Sequence, residues 1–240
     1  MSNINIQDKN QKGVIMNITV NNINIYYEVI GKGRQIILLN PNSVDTNAMN
    51  FIAKKLSKDF EVYIFHRRCC GKSEKNCNLT YEESAADVCE FIKVLKLEKP
   101  YILGCSGGAT VALNLAIKNS ELIGKLICCS GVARPEVIQK PTYAKIMEKI
   151  PFYPGKKENE MFEKLNNSAK SLTEEQLKKI SVPTLIVNGG KRDIVPISEA
   201  QYLNNSIKNS KLLILENEGH FSYMINCKWY NKLLDFLLRN

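Results

Sequence analysis

Six short apolar runs, set apart by helical periodicity or turn residues, constrain the fold of this chain more than any other feature. They cover residues 35–39, 61–65, 101–104, 125–129, 184–187 and 211–215. Each is too short for a helix. Each is nearly continuous in apolar character, so as a strand it must be covered on both faces. Strand, helix, strand in this order predicts right-handed crossovers and a mostly parallel central sheet with helices on both faces, an α/β architecture. Two earlier runs, 14–20 and 23–30, flank Asn21-Asn22. Asparagine tolerates positive φ, so these two runs predict an N-terminal antiparallel hairpin.

The helices carry readable starts. Thr80 with Glu83 predicts a capping box opening a helix over 82–95, and Thr173 with Gln176 predicts another, with Leu172 and Leu177 as its hydrophobic staple. Ser198 with Gln201 predicts a third cap before a helix over 199–207. Residues 107–118 and 229–238 show apolar stripes at helical spacing. Only 134–171 breaks the alternation, with prolines at 135, 141, 151 and 154 and amphipathic pieces over 143–150 and 158–165. It is too long for a plain connection and predicts a small helical cap insertion. The expectation is one domain over 1–240, with 134–171 lying over the sheet.

Composition excludes several classes. Hydrophobic residues at 44 % and charged residues at 24 % are ordinary globular usage, which argues against a disordered chain. Lys+Arg 33 against Asp+Glu 24 leaves +9, but the lysines are scattered and no basic run carries interleaved aromatics. A solvated basic surface is expected, with no nucleic-acid partner. The longest purely apolar run, Ile36 to Leu39, is far below a membrane span, and the polar residues 1–10 lack a secretory core. The eight cysteines show no Cys-x-x-Cys spacing. Free thiols in a reducing cytoplasm are expected, with no metal site and no cofactor.

The chemistry concentrates at Gly104-Cys105-Ser106-Gly107-Gly108, a Gly-x-Ser-x-Gly between a strand and a helix. Such a turn is sharp and strained, holds the serine hydroxyl out from the sheet, and aims the Gly107 amide at the same point. Glycine is expected at 104 and 108 because side chains there would collide across the turn. A serine needs a base, and the chain has only His66 and His220. Asp193 follows the 184–187 strand, so Ser106, Asp193 and His220 occur in the order nucleophile, acid, base. The acid would hold the imidazole tautomer and stabilise the imidazolium.

Across nearly its full length the chain resembles the α/β-hydrolase superfamily. Residues 62–73 resemble that family's strand and Asp-x-Arg-Gly-x-Gly-x-Ser loop, with Arg68, Gly71 and Ser73 matching and His66 and Cys69 departing. Residues 183–196 resemble its strand-then-acid segment through Gly189, Asp193 and Pro196, and Gly219-His220 matches its Gly-His. Where relatives carry His-Gly the chain has Asn40-Pro41-Asn42-Ser43. The resemblance implies an oxyanion hole from the amides of Gly107 and Asn42. It leaves Glu136 as a competing acid and His66 in a structural slot. The function implied is hydrolysis of a small ester-like substrate through an acyl-enzyme. Thioester, lactone, C–C and aminopeptidase chemistries remain open on the same scaffold. A second class, a small-ligand sensor or partner-binding protein with little turnover, is motivated by the altered Asn40–Asn42 segment. Met147 and Phe162 of the insertion are expected to line the acyl pocket, with a preference for short acyl groups. The oligomeric state is left open.

Overall fold

The computed structural model describes residues 14–42, 49–138, 156–220, 222 and 229–239. Strand β3 (Arg34–Leu39) shows how its apolar run is used. Ile36 and Leu38 face one layer of the core, and Ile37 and Leu39 face the other, all fully buried. Side chains alternate along a strand, so a continuous apolar run serves two layers at once. Strand β4 (Phe60–Phe65), β5 (Tyr101–Cys105), β6 (Leu126–Cys129) and β7 (Thr184–Asn188) do the same.

Among the described residues the sheet has eight strands in the order β1-β2-β4-β3-β5-β6-β7-β8. Strand β1 (Val14–Val20) pairs antiparallel with β2 (Ile23–Ile30), and β2 pairs antiparallel with β4. The remaining pairings, out to β8 (Ser210–Ile214), are parallel. Asn21 and Asn22 both take positive φ, 48° and 62°, which is the hairpin turn their sequence predicts. Helices α1 (Asn50–Leu56) and α7 (Tyr230–Leu238) cover one face through Ile52, Ala53, Leu56, Leu233 and Leu237. Helices α2 (Tyr81–Val94) and α3 (Gly107–Lys118) cover the other.

Between β6 and β7 the described residues hold a single 3-10 turn, Pro135–Val137, then α4 (Lys156–Ser168) and the short α5 (Glu174–Leu177). The expected helical piece over 143–150 lies outside the described residues. The piece expected over 158–165 falls inside α4.

The caps differ from one another in an instructive way. Thr173 and Gln176 close the full reciprocal box expected of them. Thr80 accepts from the Glu83 N–H at 3.0 Å, but the Glu83 carboxylate is taken by the Asn78 amide, the Thr80 hydroxyl and Arg68, and no reciprocal capping box is found among the described residues. The cap expected at Ser198 does not form. Helix α6 (Ile197–Ser206) starts directly after Pro196 with no side-chain cap. Glu199 in its first turn is fully buried and reaches across to the chain leaving β6. There it accepts from the N–H groups of Ala133 (2.8 Å) and Arg134 (2.9 Å) and pairs with the Arg134 guanidinium at 2.7 Å.

Candidate active site

Strand β5 ends at Cys105 and α3 begins at Gly107, which leaves Ser106 to make the whole turn between them. Its φ of 52° with ψ of −119° is a backbone conformation that a side chain disfavours. The two glycines make room in different ways. A Cβ on Gly104 would lie 2.4 Å from the Gly108 carbonyl oxygen and 2.6 Å from the Ala109 Cα, across the turn as expected. A Cβ on Gly108 would instead lie 2.2 Å from the Leu39 carbonyl oxygen. Gly108 is therefore required by the approach of α3 to the end of strand β3, whose carbonyl oxygens stand nearest.

Ser106, His220 and Asp193 meet although 114 residues separate the first pair and 27 the second. His220 Nε2 is 2.9 Å from the Ser106 Oγ, and His220 Nδ1 is 2.6 Å from Asp193 Oδ1. The side chains of His220 and Asp193 are almost wholly shielded from solvent, at 2 % and 0 % exposed. Burial by itself pushes the Asp193 carboxyl up. The adjacent imidazole, the Ser130 hydroxyl and the Val195 N–H more than offset this, so its pKa lies below the ordinary carboxylate value. Asp193 Oδ2 also accepts from the Gly189 N–H at 2.8 Å and from the Ser130 hydroxyl. Ser130 was not legible in the sequence as a site residue. It follows β6 at positive φ, 46°, and only the neighbouring position of β7 brings it to Asp193.

The competing candidates stand elsewhere. Glu136 is exposed and accepts from the Ser171 hydroxyl at 2.7 Å. His66 is buried at the end of β4, accepts the Lys72 N–H on Nδ1 at 3.1 Å, and meets the Tyr26 ring edge-on at 4.5 Å. Arg68 grips Asp87 of α2 with two bonds of 2.7 and 2.8 Å, which anchors the loop after β4.

Ser106 opens into a cavity of about 270 Å³. Val132, Pro135, Ile138 and Ile194 contribute apolar surface, and Asn42, Tyr81, Thr110, Glu163, Asn166 and Asn167 contribute polar groups. Asn42 and Gly107, the two expected oxyanion donors, both line it. Gly107 is the first residue of α3, so its N–H has no partner inside the helix. Phe162 does not line the cavity as expected: it is 4 % exposed and packs in the core layer with Leu165 and Leu172. The reason is helical phase, which turns Glu163, Asn166 and Asn167 of α4 to the cavity and Phe162 away from it. Met147 lies outside the described residues.

A family profile described as the alpha/beta hydrolase fold matches residues 40–180. The chain belongs to this family. The matched stretch contains Ser106 but ends before Asp193 and His220. The AB hydrolase superfamily protein YisY of Bacillus subtilis is 27 % identical over 257 residues, covering 90 % of this chain and 96 % of that protein. Serine hydrolase BPHL of Homo sapiens is 25 % identical over 254 residues, covering 92 % of this chain and 85 % of that one. Among solved structures, the enol-lactonase from Burkholderia xenovorans LB400 superposes with a TM-score of 0.79 at 22 % identity, over 93 % of this chain and 100 % of that one. That likeness is one of fold. Among the described residues no helix is long and apolar enough to cross a membrane, and no group of three or more metal-ligating side chains occurs.

Proposed function

We propose that the chain is a serine hydrolase that cleaves a small ester-like acyl substrate through Ser106, His220 and Asp193. The observation that carries this reading is the continuous row Asp193–His220–Ser106, at 2.6 and 2.9 Å, opening into a cavity. Ser106 Oγ attacks the carbonyl carbon as its proton passes to His220 Nε2, and the carbonyl oxygen becomes an oxyanion. The N–H groups of Gly107 and Asn42 are the donors assigned to that oxyanion. Collapse breaks the bond to the leaving oxygen, which takes the proton from His220. Water then repeats the sequence on the acyl-enzyme and restores Ser106. Asp193 keeps a proton on Nδ1, so that Nε2 is the free base in the resting site.

A cavity of about 270 Å³ favours a small substrate, since sites for small molecules run from about 300 to 1,000 Å³. The seven described cysteines are free, in keeping with a reducing cytoplasm as the place of action. The test is a fluorophosphonate probe followed by peptide mass spectrometry, with hydrolysis of p-nitrophenyl acetate in parallel. Labelling at Ser106, and a fall of several orders of magnitude in kcat for Ser106→Ala, are expected. Folded protein that neither labels nor turns over any ester, thioester or lactone would support the sensor reading instead.

A further inference from the structure

Two adjacent arginines leave β4, and they are treated differently. Arg68 is neutralised by Asp87. Arg67 is fully buried, with no carboxylate partner among the described residues. Its Nε and Nη1 have no partner there, and its one bond runs from Nη2 to the Asn42 Oδ1 at 2.8 Å.

That single bond sets a direction. A guanidinium only donates, so the Asn42 atom facing it must be the carbonyl oxygen. The Asn42 Nδ2 then faces the Tyr81 hydroxyl, at 2.8 Å, and donates to it. The Tyr81 hydroxyl donates to Asn166 Oδ1 at 2.7 Å, and the Asn42 Nδ2 stands 3.5 Å from the same oxygen, so the Asn166 carbonyl faces the row. The row ends with the Asn166 Nδ2, which makes no hydrogen bond among the described residues and belongs to a side chain on the cavity wall. Gly107 permits the row: a Cβ there would lie 2.1 Å from the Asn42 Oδ1. The row that starts at the buried charge thus leaves a donor, the Asn166 Nδ2, on the polar side of the cavity.

We infer that the cavity takes a substrate with a second, neutral oxygen acceptor, a ketone or amide carbonyl, away from the reacting ester. Asn166 receives this oxygen, and Arg67 acts as a positioning residue that fixes the donor direction. This deepens the serine-hydrolase reading and rests on it. Glu163 lines the same cavity from the same helix, and its charge disfavours a carboxylate as the acceptor. A plain hydrocarbon chain would leave the Asn166 amide without a partner on binding.

The test compares p-nitrophenyl 4-oxopentanoate with p-nitrophenyl pentanoate, and 2-oxopropyl butanoate with butyl butanoate, so that the extra carbonyl is tried on both sides of the ester. A mono-p-nitrophenyl succinate serves as the anionic arm. In at least one pair the oxo ester is expected to show kcat/KM about tenfold higher, expressed mainly in KM, as one added hydrogen bond provides. Asn166→Asp, which offers an acceptor in place of a donor, is expected to bring the ratio to about one. Arg67→Met is expected to lose the preference and Arg67→Lys, still a donor, to keep it, with Tm recorded for each. Ratios near one in both wild-type pairs, or a higher kcat/KM for the succinate than for either oxo ester, would overturn the inference while Ser106 labelling leaves the hydrolase reading standing. A preference unmoved by Asn166→Asp, a variant on a partly exposed helix face, would overturn it as well. Absence of labelling at Ser106 would overturn both.

Discussion

Asp193 is held by four groups, namely the His220 imidazole, the Ser130 hydroxyl and the N–H groups of Gly189 and Val195. In the proposed mechanism only the first bears on proton transfer. The others fix the carboxylate, so Asp193→Asn keeps the packing but offers Nδ1 a group that permits the wrong tautomer. A loss in kcat of about 10⁴-fold is expected with an intact fold. The same residue predicts a pH effect. Its folded pKa lies below the value of 3.8 expected of the unfolded chain. The folded state therefore binds fewer protons between those two values. The stabilisation is fully present above the unfolded value and is lost as pH falls through the folded one. Tm measured from pH 6 down to pH 2 is expected to fall less steeply in Asp193→Asn than in the wild type. At this scale the meeting of Ser106, Asp193 and His220 was legible in the sequence, because a glycine-bracketed serine and only two histidines leave few pairings. The sequence was illegible for Ser130 and Arg67, whose roles depend on neighbours that no local pattern specifies.

Element packing turns on the contact between α3 and β3. The Gly108 position abuts the backbone at the end of β3, with the Leu39 and Asn40 carbonyl oxygens 2.2 and 2.6 Å from a notional Cβ. Neither can swing aside as a flexible side chain would. Gly108→Ala is expected to push the helix from the sheet and to cost about 3 kcal/mol or more, at the upper end of overpacking effects. A drop in the urea midpoint with an unchanged slope would register this as lost stability. Element boundaries shifted by one or two residues from the sequence expectation, as in β5, which runs one residue further to Cys105. The missing cap at Ser198 has a firmer cause. Pro196 holds the extended conformation of an N-cap (φ −64°, ψ 148°), so the helix starts two residues early. Glu199 is then drawn away to the backbone of Ala133 and Arg134.

For the whole molecule, the sheet order puts β3, β5 and β6 at the centre, and it leaves β1 and β8 as edges. Central strands are paired on both sides and buried on both faces, with Ile36–Leu39, Ile102, Leu103 and 126–129 all at 0 % exposure. Among the described residues strand β1 pairs on one side only, and Ile15 on it is 40 % exposed. Native-state hydrogen exchange is expected to be slowest in β3, β5 and β6 and markedly faster in β1, since edge segments open at lower cost than the core. Uniform protection across all eight strands would contradict that gradient. The same order assembles the candidate site, because the loops after β3, β5, β6 and β7 carry Asn42, Ser106, Ser130 and Asp193 side by side.

The sequence by itself determined the strand-and-helix alternation, the hairpin at Asn21-Asn22, the strained turn at Ser106 and the order of the three residues around it. These are local properties of periodicity, glycine spacing and chain order, and each can be read without knowing what lies nearby. Tertiary structure alone decided the polar wall of the cavity. Arg67, Asn42, Tyr81 and Asn166 stand 25, 39 and 85 residues apart along successive links of their row. In sequence each is an ordinary polar residue, as fit for the surface as for the interior. Arg67 is fully buried, and its row to the cavity exists only where the ends of β4 and β3 meet α2 and α4. Among the described residues the guanidinium has a single acceptor, the Asn42 Oδ1, and that contact fixes which way the Asn42 amide faces the rest of the row.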